Sequence, residues 1–93
     1  MGERYRLIET EGFLADLDQV LELVDLLVDT LDLSIYWVLR RRPGTGWFSD
    51  ATGLWFMQRS FSQGYLVQFA YRIDQNSMTV ELVGVRPVPR TRL

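Results

Sequence analysis

The sequence predicts an α+β domain of order β-α-α-β-β-β, a helical hairpin packed on an antiparallel sheet. Three observations predict it. Phe13, Leu17, Val20, Leu21, Val24, Leu27, Val28 and Leu31 recur on one face at the helical period. A shorter apolar face follows at Ile35, Val38 and Leu39. After Gly53 the chain alternates apolar and polar residues between turn segments. Ninety-three residues suit one domain, 1–93, with a core over about 4–86 and an extended tail over 87–93.

Residues 3–9 read as a strand, with Tyr5 and Leu7 on one side and Arg4, Arg6 and Ile8 on the other. Thr10 is a good N-cap and Glu11 suits a first helical turn, so a helix is expected from 11 to about 30. Asp18, Glu22, Asp25, Asp29 and Asp32 form an acidic stripe beside its apolar face. Such a stripe is ordinarily solvated; an Arg-rich partner or a cation is the alternative. Leu23 and Leu26 fall on neither face. Either the second helix covers them, or a partner or second copy does.

Ser34 can open the second helix, which Pro43 and Gly44 stop after Arg40, Arg41 and Arg42. A loop is expected from Pro43 to Gly53, with Trp47 and Phe48 inside it, and strands over 54–61, 65–73 and 78–86. Counting outward from the two turns sets Ile73 against Met78, Tyr71 against Val80, Phe69 against Leu82 and Val67 against Gly84. It also sets Phe61 against Tyr65 and Arg59 against Val67. Arg59, Gly84 and Arg86 then share one face, with Gly84 leaving a depression between arginines roughly two strand spacings, about 10 Å, apart. That arrangement would suit a phosphate or carboxylate; the alternative is that each arginine simply lies at a solvated sheet edge.

Composition narrows the chemistry. The chain has no His, no Cys and no Lys. Disulfides and thiolate or imidazole metal sites are excluded, and no metal or other cofactor is expected. No histidine can serve as an acid or base near neutral pH. All ten basic residues are arginine, which reflects an Arg-rich genome or selection for bidentate anion recognition. Residues 1–39 carry nine acids against two arginines, and residues 40–93 carry eight arginines against three acids, so a pI near 5 conceals a basic C-terminal half. No apolar run approaches the roughly 20 residues of a membrane span, and the charged N-terminus lacks a signal core. A cytoplasmic location is expected.

Arg40, Arg41 and Arg42 form the densest positive cluster. Arginines at a helix C-terminus complement its dipole, and they can also hold phosphate. Trp47, Trp55, Phe56 and Phe61 can anchor a core or stack nucleobases. Trp47 and Phe48, in a Gly-rich loop, are the most exposed candidates for a partner contact.

Several strings carry a family resemblance: the opening strand followed by EGFLADLDQVLELV, the second helix closing in LRRRP, then FMQRSFSQGYLVQFAYRID and MTVELVGVR. Over about residues 4–86 the chain resembles the RelE/ParE toxin superfamily of type II toxin–antitoxin systems. The resemblance implies a cognate antitoxin as partner. It also implies action either on ribosome-bound mRNA, by cleavage, or on DNA gyrase, by binding. Arg59 and Arg86 sit where the family commonly carries functional basic residues. The chain departs from the family's nucleases in lacking lysine, histidine and a C-terminal tyrosine, so action mainly by binding is expected. Two other readings compete: an interaction module that homodimerises through Leu23 and Leu26, and a small RNA-binding domain using Arg40–Arg42 and the loop aromatics.

Overall fold

A computed structural model of the chain describes residues 4–23, 35–62 and 65–89. Its elements are β1 (Arg6–Glu9), α1 (Glu11–Leu23), α2 (Trp37–Arg41), a 3-10 turn (Pro43–Thr45), β2 (Trp47–Ser49), β3 (Leu54–Ser62), β4 (Tyr65–Asp74) and β5 (Thr79–Pro89). The expected continuation of the first helix from Val24 to Thr30, the acidic-stripe residues Asp25, Asp29 and Asp32, Leu33, Ser34, and residues 63–64 and 90–93 lie outside the described residues. So do Leu26 and the side chains of Leu23 and Phe61.

The cap is formed as the sequence implies. Thr10 Oγ1 accepts from the Phe13 amide at 3.2 Å and donates to the Leu82 carbonyl at 2.8 Å, tying the start of α1 to β5. Phe13, Leu17 and Val20 then enter one buried cluster with Ile35, Tyr36 and Leu39 and the inward residues of the strands. Phe13 and Phe69 meet across this interface with ring centroids 6.3 Å apart. Tyr36 is buried but keeps its hydroxyl satisfied by donating to Glu9 at 2.8 Å.

The sheet has five strands in the order β1-β5-β4-β3-β2. It is mixed rather than purely antiparallel, because β1 runs parallel to β5, from Arg6 opposite Thr79 to Glu9 opposite Leu82. It is also one strand wider than expected. Trp47 and Phe48 do not sit in a loop but form β2 against β3. Each pairs with an aromatic across the ladder: Trp47 stacks on Phe56 at 5.8 Å, and Phe48 tilts against Trp55 at 5.5 Å. Gly46 makes this possible, since a Cβ there would collide with the Phe56 carbonyl oxygen and the Tyr71 hydroxyl.

The expected register holds for Arg59 opposite Val67 but fails between β4 and β5. Ile73 faces Val80 and Tyr71 faces Leu82, two residues beyond the counted positions. Phe69 then faces Val85, and Gly84 falls opposite Ala70 rather than Val67. The two-residue offset arises at the turn, which brings Asp74 opposite Thr79, and a bulge at Ala70/Tyr71 adds one more by leaving Val83 unopposed on β5. One extra residue reverses the alternation. Leu82 and Val85, three apart, are therefore both buried. A second irregularity between Ser60 and Ser62 sets Ser62, not Phe61, opposite Tyr65.

The segment expected as tail is partly strand: β5 continues through Pro87 and Val88 to Pro89, opposite Val67, Leu66 and Tyr65. Prolines are tolerated there for a local reason. The Val85 N–H turns away from β4 to reach Asp16 Oδ2 at 3.3 Å. Residues 87 and 89 have the same parity, so the missing N–H groups cost no bond to β4.

Candidate functional site on the open face of the sheet

Alternation divides the strands into two faces. Met57, Val67, Phe69, Tyr71, Leu82 and Val85 point toward the helices and are buried. Phe56, Gln58, Gln68, Ala70, Gly84 and Arg86 point to the other face. There they line up in cross-strand rows, Phe56–Ala70–Gly84 and Gln58–Gln68–Arg86. A cavity of about 340 Å³ lies on this open face, floored by Ala70 and Gly84 and walled by Phe56, Gln68, Arg86 and Asp16.

Arg86 is exposed and, among the described residues, makes no ion pair or hydrogen bond, so its N–H fork is available. Gln58 Nε2 donates to Gln68 Oε1 at 2.8 Å, which orients both amides beside it. Trp47, 47% exposed, extends the aromatic wall through its stack on Phe56. Asp16 reaches the cavity from α1. A Cβ at residue 84 would lie 3.3 Å from its Oδ2, so glycine leaves room for the carboxylate. Asp16, Gln58, Gln68 and Thr52, which also lines the cavity, were not singled out from sequence. The available signal was Gly84, since a lone glycine in a strand marks a bulge or a close approach.

Arg59 is not part of this site. It is opposite Val67, which is opposite Pro87, and Val67 is fully buried on the helix side. Arg59 and Arg86 therefore lie on opposite faces, which corrects the shared-face expectation. Arg59 Nη1 donates to the neighbouring Gln58 carbonyl at 2.9 Å. Phe48 lies on the Arg59 side as well, opposite Trp55. Arg40, Arg41 and Arg42 end α2, and none of them lines the Arg86 cavity. Arg41 Cζ sits 4.3 Å over the Trp37 ring, a cation–π contact. Leu23 and Leu26, the candidate partner contacts on the first helix, fall outside the described side chains.

The acid–base inventory is short. Tyr71 is buried and donates to the Pro43 carbonyl at 2.6 Å. Burial pushes its pKa up from the ordinary tyrosine value to about 12, against smaller opposing effects of a Gly46 backbone hydrogen bond and the Arg59 charge. It is a neutral structural anchor near pH 7. Asp74, in the β4–β5 turn, is held below the usual carboxylate value by the Ser77 and Asn76 amides and lies away from the cavity. Arginine stays protonated and can only stabilise charge. Among the described residues no group of three or more His, Cys, Asp or Glu could hold a metal, and no helix is long and apolar enough to cross a membrane.

No family model matches the chain, and no curated protein matches it by sequence. A solved structure does. A chain in the crystal structure of the toxin–antitoxin complex RelBE2 from Mycobacterium tuberculosis superposes with a TM-score of 0.62 at 21% identity, over 97% of this chain and 95% of that one. The likeness spans nearly the whole of both chains, and this chain shares that neighbour's α+β fold.

Proposed function

We propose that this protein is the toxin component of a type II toxin–antitoxin pair, neutralised by a cognate antitoxin and acting in the cytoplasm mainly by binding its target. The observation that carries this reading is the near-complete likeness of fold to a chain of a toxin–antitoxin complex. The target is the translating ribosome with its mRNA, or DNA gyrase. Its anionic or polar surface meets the open face at Arg86, with Gln58 and Gln68 supplying neutral donors and acceptors.

Binding is favoured over rapid strand cleavage on chemical grounds. Attack by a ribose hydroxyl gains about 10²–10⁴-fold from each positioned acid or base. Tyr71 is pinned neutral on the opposite face of the sheet, and Arg86 cannot take a proton. The one carboxylate lining the cavity, Asp16, is already accepting the Val85 amide. Its negative charge also opposes a close phosphate.

Inducible expression in bacteria, with and without the adjacent reading frame, tests the reading. Growth arrest that the neighbouring product relieves supports it. Loss of ribosome-bound mRNA integrity, or of gyrase supercoiling, then assigns the target. A folded protein that leaves growth unchanged and self-associates instead is the interaction module, and the toxin reading fails.

A further inference from the structure

We infer that the cavity beside the end of α2 is a separate anion site for a small phosphate ester carried on a flat aromatic group, of mononucleotide size. Its volume is about 350 Å³, within the range of small-molecule pockets. Arg41 and Arg42 line it, with Thr45 from the turn that follows, the aromatic residues Tyr5 and Trp55, and Gln75. Trp55 is opposite the buried Tyr71, so this cavity is on the helix side of the sheet. It shares no lining residue with the Arg86 cleft, and the inference is independent of the toxin reading.

Charge decides the ligand class. Two arginines and no Asp or Glu line the site. The open-face cleft, by contrast, includes Asp16, and an adjoining cavity near the β4–β5 turn, which shares Ile73 and Gln75 with this site, includes Asp74 and Glu81. In that adjoining cavity Arg72 is already tied to Glu81 at 2.8 Å. Neither Arg41 nor Arg42 makes an ion pair among the described residues. Arg41 is held in place from below by the Trp37 ring, a contact that uses the face of the guanidinium and leaves most of its N–H fork open.

A helix C-terminus ordinarily repels anions through its free carbonyls. Here three carbonyls at this end are occupied. Val38 O accepts from the Arg42 amide at 2.6 Å, and Arg40 O accepts from the Tyr5 amide at 2.7 Å. Arg42 O accepts from both the amide and the hydroxyl of Thr45, at 3.1 and 3.0 Å. These three oxygens therefore do not offset the arginines' charge. A phosphate gains from the guanidinium pair, and an attached planar ring gains from Trp55 and Tyr5.

The experiment titrates the full chain at low salt with uridine 5′-monophosphate, uridine and inorganic phosphate, followed by backbone amide NMR. Saturable binding of the monophosphate is expected, at least about tenfold tighter than phosphate or uridine, with shifts at Gly44, Thr45 and Trp55. The double variant Arg41→Gln/Arg42→Gln should weaken it about tenfold or more, while Arg86→Gln leaves it unchanged. A 5′-phosphorylated oligoribonucleotide compared with its unphosphorylated form separates a nucleic-acid end from a free nucleotide as the source. Absence of saturable binding by the wild type overturns the inference. So does equal binding of uridine, or shifts confined to residues around Arg86. If the double variant does not fold, the wild-type shift map alone decides.

Discussion

The two faces of this sheet are made by alternate residues of the same strands, and they differ in what holds them in place. On the helix side, Phe69 and Tyr71 are fully buried, and even the tyrosine hydroxyl is consumed by a backbone carbonyl. On the open side, Gln68 and Arg86 have partial or full exposure, and Arg86 has no partner among the described residues. The first face exchanges chemistry for stability. The second keeps its donors free, at little cost in stability, because water solvates them. A residue's face therefore says more about its role than its type does, and Arg59 and Arg86 illustrate the point.

The contrast can be broken by substitution. Phe69→Ala should cost about 3–5 kcal/mol, because it empties the centre of the buried cluster. Gln68→Ala, one residue away on the open face, should stay within about 1 kcal/mol, the net worth of its bond to Gln58. Chemical denaturation of both variants checks this; equal losses would mean the open face is also packed.

The functional half of the contrast rests on the arginines. Arg86→Ala should lower target binding or toxicity by about tenfold to a hundredfold with the fold intact, the worth of one charge-assisted contact. Arg59→Ala should leave target binding nearly unchanged. Growth and binding assays on both single variants decide it. Equal losses in two folded proteins would return Arg59 to the site.

Tyr71→Phe sharpens the stability half. It leaves the Pro43 carbonyl without its donor, so a loss of about 1–3 kcal/mol is expected. The pH dependence has a definite sign. The folded pKa, about 12, lies above the ordinary value of 10.0. The neutral phenol's contribution is therefore fully present below the ordinary value and is lost as pH rises through the folded one. Wild type should lose stability over that alkaline window more steeply than the phenylalanine variant. Parallel alkaline profiles would show that Tyr71 does not titrate on unfolding.

The smallest effect concerns Asp16. Asp16→Asn removes a negative charge from the Arg86 cavity yet keeps an acceptor for the Val85 amide. It should tighten binding of an anionic target a few-fold, the scale of a partly screened charge. A large loss of activity in the folded variant would instead make Asp16 a base and overturn the binding mechanism.

Much of the fold was legible because local rules governed it. The Thr10 cap, the Phe13–Leu17–Val20 face and the alternation of β4 depend on residues close in sequence. The width of the sheet was not legible, because Trp47 and Phe48 form a strand only when Phe56 and Trp55 are across from them. The site was partly legible. Arg86 was identified, but its neighbours were assigned by counting from a turn, and counting assumes an uninterrupted ladder.

By itself, the sequence determined the α+β class, the order of the main elements, the residues that α1 buries, and an acid–base chemistry without histidine, cysteine or lysine. Those follow from periodicity and composition, which each segment carries alone. Tertiary structure decided that Val83 is unopposed, that Gly84 and Arg86 turn to the open face while Arg59 remains behind, and that Asp16 enters the cleft. The physical reason is that strand register is a property of two strands together. One extra residue on β5, accommodated where α1 approaches closely enough for Asp16 to take the Val85 amide, reverses every side chain that follows it.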